Sequence, residues 1–70
     1  MMGDVVLIVE IGREPRELRL PDGSTVENML DSLGLYPDAH IVVRGKVPVP
    51  LGTPLMDGDR LRVIKVASGG

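Results

Sequence analysis

Seventy residues, 43% of them apolar and none cysteine, allow one small domain and exclude disulfides, cysteine-bound zinc and a thiol nucleophile. A net charge of −2 with both signs interspersed excludes a general electrostatic grip on nucleic acid, so no direct nucleic-acid contact is expected. The N-terminal apolar run is too short, and wrongly flanked by Asp4 and Glu10, for a membrane span or signal peptide, so a cytoplasmic, monomeric protein without membrane contact is expected.

Asp4 to Ile11 is rich in β-branched residues and reads as a strand. Val5, Leu7, Val9 and Ile11 share one face, while Val6, Ile8 and Glu10 share the other, which suits an interior strand. Gly12 to Pro15 reads as a turn, and Arg16 to Leu20 alternates with Leu18 and Leu20 inward, completing a hairpin. Pro21-Asp22-Gly23 breaks the pattern.

A helix follows, capped by Ser24 or Thr25, with Ser24 and Glu27 at capping-box spacing. Val26, Met29, Leu30 and Leu33 form one apolar stripe, and Gly34 is the expected stop. At about ten residues such a helix depends on packing against a sheet. Beyond Pro37, His40 to Arg44 reads as a strand and Gly45-Lys46 as a turn. Val47-Pro48-Val49-Pro50 is extended, but its prolines confine it to an edge or loop. After the Asp57-Gly58-Asp59 turn, Arg60 to Val66 is the last strand, with Leu61 and Val63 on one face and Ile64 and Val66 on the other.

This order predicts an α+β domain over residues 1–66, a mixed sheet of four to five strands packed on one helix, followed by a flexible tail at 67–70. The last strand is expected beside the first in parallel, with the helix in a right-handed crossover.

Few residues suggest an active site. His40 is the single histidine and lacks a positioned partner, so it is read as structural. Asp57 and Asp59 lack the remaining ligands of a calcium loop and read as a tight turn. Gly45 and Gly58 are isolated turn glycines, and Ser24 and Ser68 have no base. No catalytic residue, no metal site and no stably bound cofactor is therefore expected. The outward face of the last strand is more promising. Ile64 and Val66, with Val42 from the preceding strand, are expected to form an apolar docking patch, with Arg60 and Arg62 steering an acidic partner.

The sequence closes on Gly69-Gly70. Without Cβ atoms, a diglycine threads a narrow channel. A free α-carboxylate, ionised above a pH of about 3.5, attacks a nucleotidyl donor and becomes an activated acyl group.

The element order, the segment Thr53-Pro54-Leu55-Met56-Asp57-Gly58-Asp59, the helix start Gly23-Ser24-Thr25-Val26 and the closing Ala67-Ser68-Gly69-Gly70 together resemble the ubiquitin-like sulfur carriers of the ThiS/MoaD type, including archaeal small modifier-like proteins. Ubiquitin is similar more loosely, at Val42, Gly45-Lys46 and Ile64. Val47 to Thr53 departs from the ThiS pattern in being proline-rich and shorter. The resemblance implies a β-grasp fold and a carrier, not an enzyme. It implies that an adenylating partner uses Mg-ATP to activate the Gly70 carboxylate, with Gly69 and Ser68 leading into that partner's site. A persulfide protein then supplies sulfur, and the resulting thiocarboxylate serves an acceptor synthase for a thiazole, molybdopterin or a tRNA base. Two alternatives stay open: a ubiquitin-like modifier joined through Gly70 to target lysines, and a plain β-grasp interaction module.

Overall fold

The computed structural model describes residues 3–66. The expected tail at 67–70, and with it Ser68, Gly69 and Gly70, lies outside the described residues. Five strands and one α-helix follow in the order β1 (Asp4–Ile11), β2 (Glu14–Pro21), α1 (Val26–Ser32), β3 (His40–Arg44), β4 (Val47–Val49) and β5 (Arg60–Lys65), with a single 3-10 turn at Pro37–Ala39 before β3. They form one mixed sheet in the spatial order β2-β1-β5-β3-β4. β1 and β5 are parallel, and every other neighbouring pair is antiparallel. The arrangement is a ubiquitin-like β-grasp.

The alternation of β1 decides which side of the sheet is dry. Val5, Leu7 and Val9 are buried and meet Leu20 of β2, Leu61 and Val63 of β5 and Val42 of β3 in one cluster beneath α1. The helix contributes Val26, Met29 and Leu30, and Leu55 closes the cluster from the loop before β5. Removing this much aliphatic surface from water, at about 25 cal/mol per Å2, is the main force holding so small a domain.

The helix starts one residue later than the Ser24–Glu27 spacing suggests. Thr25 is the N-cap, its hydroxyl accepting from the Asn28 N–H while its own N–H donates to Asn28 Oδ1 at 2.9 Å. Ser24 is drawn elsewhere: its hydroxyl donates to the Pro21 carbonyl at 2.6 Å and it is buried under the Pro21–Gly23 turn. The first helical amides find acceptors in the loop before β5, Val26 on Thr53 O and Glu27 on Leu51 O, each at 3.0 Å. That loop thereby supplies the partners that a helix N-terminus lacks. The other end closes as a Schellman motif, with Leu35 N–H on Leu30 O, Gly34 N–H on Asp31 O, and Gly34 at φ +73°. The helix spans seven residues, fewer than the apolar stripe suggests, because Leu33 already belongs to that cap.

Candidate functional site

With one sheet face under the helix, the opposite face is open, and alternation assigns its residues. Arg60, Arg62 and Ile64 project from β5, Ile41 and Val43 from β3, and Val6, Ile8 and Glu10 from β1. Ile41 and Ile64 are register partners across the β3–β5 pair, 44% and 43% exposed. They form the apolar centre of this face. Arg62 lies alongside, its Nε 3.2 Å from the Glu10 carboxylate. Arg60 is exposed at the start of the strand.

Val42 does not belong to this face. It is only 2% exposed, stands opposite Val63 in the register, and points beneath the helix with it. The expected patch residue is thus a core residue, and its neighbour Ile41 takes the surface position. The run Ile41-Val42-Val43 carries no polar–apolar alternation, so the sequence offers no signal for which of the three faces in. Only pairing with the clearly alternating β5 settles it. Val66 follows the last strand, half-buried, with its N–H donating to Ala39 O at 2.9 Å.

The loop from Leu51 to Asp59 fixes where β5 begins. Asp57 Oδ1 accepts the Val6 N–H at 2.9 Å, and the Gly58 N–H donates to Val6 O at 2.8 Å. Asp59 Oδ2 accepts from Arg44 at 2.7 Å and from the Met56 N–H at 2.9 Å. Arg44 also reaches the Pro54 carbonyl at 3.3 Å. Both aspartates therefore act as structural ligands for backbone and guanidinium groups, as a tight turn demands. Among the described residues, no three His, Cys, Asp or Glu side chains are grouped to hold a metal. No helix among them is long and apolar enough to cross a membrane.

His40 likewise has a local structural partner, its Nδ1 lying 2.8 Å from the Tyr36 carbonyl across the 3-10 turn. Pro37, which stands at the first position of this turn, is its one signal in the sequence. Tyr36 is 78% exposed beside a surface hollow of about 460 Å3 bordered by Asp31 and Leu35, on the helix side of the molecule.

The family model described as the ThiS family matches residues 3–70, nearly the whole chain and including Gly69 and Gly70. An uncharacterized protein of Archaeoglobus fulgidus is 31% identical over 61 residues, covering 86% of this chain and 90% of that protein. Among solved structures, a Caldiarchaeum subterraneum ubiquitin superposes with a TM-score of 0.72 at 20% identity, covering 97% of this chain and 100% of its own. A ubiquitin-like domain of an Arabidopsis thaliana protein gives 0.75 at 6% identity, covering 97% and 83%. At such identities the structural likeness speaks for the fold. The family match speaks for more, since ThiS-type proteins are small carriers that work with activating enzymes and sulfur transferases. Matched from Gly3 through to the final diglycine, on a ubiquitin-like fold, the chain belongs to the ThiS family.

Proposed function

We propose that this protein is a sulfur carrier whose Gly70 carboxylate is adenylated by an activating enzyme and converted to a thiocarboxylate. The observation that supports the reading best is the family match running through Gly69-Gly70, which in sequence follow Val66-Ala67-Ser68 after the strand at the centre of the sheet. β5 is gripped on both sides, by β1 and β3. A chain leaving it starts from a fixed direction, and four residues beyond Val66 extend at most about 14 Å. The partner's active site therefore has to approach this end of the sheet closely. The Ile41–Ile64 face, with Arg60, Arg62 and Val66 around it, is the surface offered to that partner.

In the proposed chemistry, a Gly70 carboxylate oxygen attacks the α-phosphorus of ATP held with magnesium by the partner, and pyrophosphate leaves. A persulfide sulfur then attacks the acyl carbon, and AMP leaves. A thiol cleaves the resulting acyl disulfide, so the thiol pair is oxidised to a disulfide and the carrier retains one sulfur as a thiocarboxylate. ATP, magnesium and the persulfide belong to the partners. The carrier contributes the nucleophilic carboxylate, the docking face and two residues slim enough for the channel. An acceptor synthase for a thiazole, molybdopterin or a tRNA base takes the sulfur, in the cytoplasm, with the carrier acting as a monomer and contributing no catalytic group.

Intact-mass measurement on protein purified from its native host tests the reading, with a Gly70 deletion as control. The carrier reading predicts a species in which one oxygen is replaced by sulfur, localised to Gly70 and lost in the deletion. Isopeptide conjugates from Gly70 to target lysines would instead identify a protein modifier. An unmodified chain with undiminished cellular role in the deletion would leave a plain interaction module.

A further inference from the structure

Among the described residues, another strand could add at either rim of the sheet or at a stretch between strands, and both rims are closed. Backbone hydrogen bonding alternates along a strand, and residues flanking a two-residue hairpin loop bond to each other. The Ile11↔Glu14 pair therefore turns residues 14, 16, 18 and 20 of β2 toward β1, and Pro15, Glu17, Arg19 and Pro21 outward. The Ile8 N–H fits this assignment, donating away from β2 to Asp59 O at 2.9 Å. By the same logic the Arg44↔Val47 pair turns Pro48 of β4 outward. Proline and charge blunt both rims against strand addition.

The third stretch lies inside the sheet. The parallel ladder of β1 and β5 stops at Ile11↔Val63, where Gly12, at φ +65°, turns the chain into β2. β5 runs on to Lys65, and Val66 continues toward β3 by donating to Ala39 O. Alternation then aims the N–H and C=O of Lys65 the other way, into the lane that β1 has vacated. Among the described residues no backbone hydrogen bond reaches Lys65 from that side. A hollow of about 410 Å3 opens there, bordered by Ile11 and Gly12 on the β1 side and by the end of β5 from Arg62 to Lys65, and reaching across to His40 of β3. Its apolar walls stand on both faces of the sheet, Ile11 on the helix side and Ile64 on the open side. Of the charged residues that border it, Lys65 has no carboxylate partner among the described residues and Arg62 shares Glu10, while Arg13, likewise without such a partner, stands in the adjacent turn.

We propose that this vacated lane is a β-augmentation site for an extended, acidic segment of a partner protein, which lies beside Lys65 where β1 ends. The segment's backbone pairs with Lys65. Its alternate side chains meet Ile11 and Ile64, and its carboxylates face Lys65, Arg13 and Arg62. The inference is independent of the chemistry at Gly70, because the Lys65 backbone is presented whether or not the tail is activated.

The test is an NMR titration of the isotope-labelled full chain with a blocked peptide alternating glutamate and valine, and with its lysine–valine counterpart. Binding of the acidic peptide is expected to shift the Gly12, Ile64 and Lys65 amides most. At saturation, exchange of the Lys65 amide is expected to slow by about tenfold as it gains a partner. Lys65→Glu is expected to weaken binding about fivefold, which corresponds to about 1 kcal/mol, with an unchanged melting temperature. Lys65→Pro removes the donor and is expected to abolish binding, its fold being checked by the same spectra. Equal binding of the lysine peptide, shifts centred on β2 or around Tyr36, undiminished affinity in Lys65→Glu, or no shift at about 1 mM peptide would each overturn the proposal.

Discussion

Ile41 and Ile64 stand directly opposite each other on the open face of the sheet, while Val42 and Val63, one step along each strand, stand opposite each other beneath the helix. One register step separates the open face from the core, and the two pairs should respond to mutation in opposite ways. Val42→Asp places an unpaired carboxylate in the core and is expected to cost more than about 3 kcal/mol, enough to unfold much of the population. Ile41→Asp changes stability by no more than about 1 kcal/mol. With a cognate activating enzyme, Ile41→Asp is expected to lower the rate of Gly70 adenylation by about tenfold. Urea titrations and pyrophosphate-release assays on both variants check this.

The Asp59 carboxylate holds Arg44 and the Met56 amide together, with its side chain only 15% exposed. Asp59→Ala leaves a half-buried guanidinium and a backbone donor without their acceptor, and a loss of about 2 kcal/mol is expected. Asp57→Ala, which frees the Val6 amide near the surface, is expected to lose about 1 kcal/mol. Urea midpoints that fall in the reverse order would contradict this division of roles.

At the helix start, Thr25→Ala is expected to cost about 1 kcal/mol, because it removes the acceptor of the Asn28 amide. Glu27→Gln keeps the cap intact and should change stability by less than about 0.5 kcal/mol. Thermal melts of the two variants distinguish the observed cap from one built on Ser24 and Glu27.

Gly34→Ala forces a Cβ into left-handed backbone at φ +73°, although the space around it is open. The expected loss is about 1 kcal/mol from backbone strain alone. Gly34→Asn should recover part of it, since asparagine tolerates that region better. Circular-dichroism melts of the two variants report the difference.

Much of the fold was legible because β2 and the start of β5 alternate, β1 is a β-branched run that reads as an interior strand, and the turns carry glycine where a positive φ is required, as at Gly12 and Gly45. The parallel placement of β5 beside β1 followed from handedness and the single intervening helix. The Ile41-Val42-Val43 run was illegible for the opposite reason, since three aliphatics in succession encode no face. Of the two caps open to the sequence, Ser24 and Thr25, the helix uses Thr25, because the Pro21 carbonyl claims the serine hydroxyl. Local spacing cannot register that competition, nor the carbonyls of Leu51 and Thr53 that close the helix N-terminus from 25 or more residues away. At the candidate site, Ile64, Arg60 and Arg62 were readable from strand parity, whereas their true neighbour Ile41 depended on a long-range pairing.

The central position of β5 also governs how the molecule comes into being. The hairpins β1–β2 and β3–β4 are not neighbours in the sheet, and β5 alone joins them. Its partner β1 lies about fifty residues earlier in the chain, a closure whose entropy has to be met before the contacts that reward it form. During translation the first hairpin and the helix emerge without the strand that completes their core. The ribosome must deliver Leu61 and Val63 before the domain can close. A chain interrupted before that point leaves two hairpins with no strand to join them.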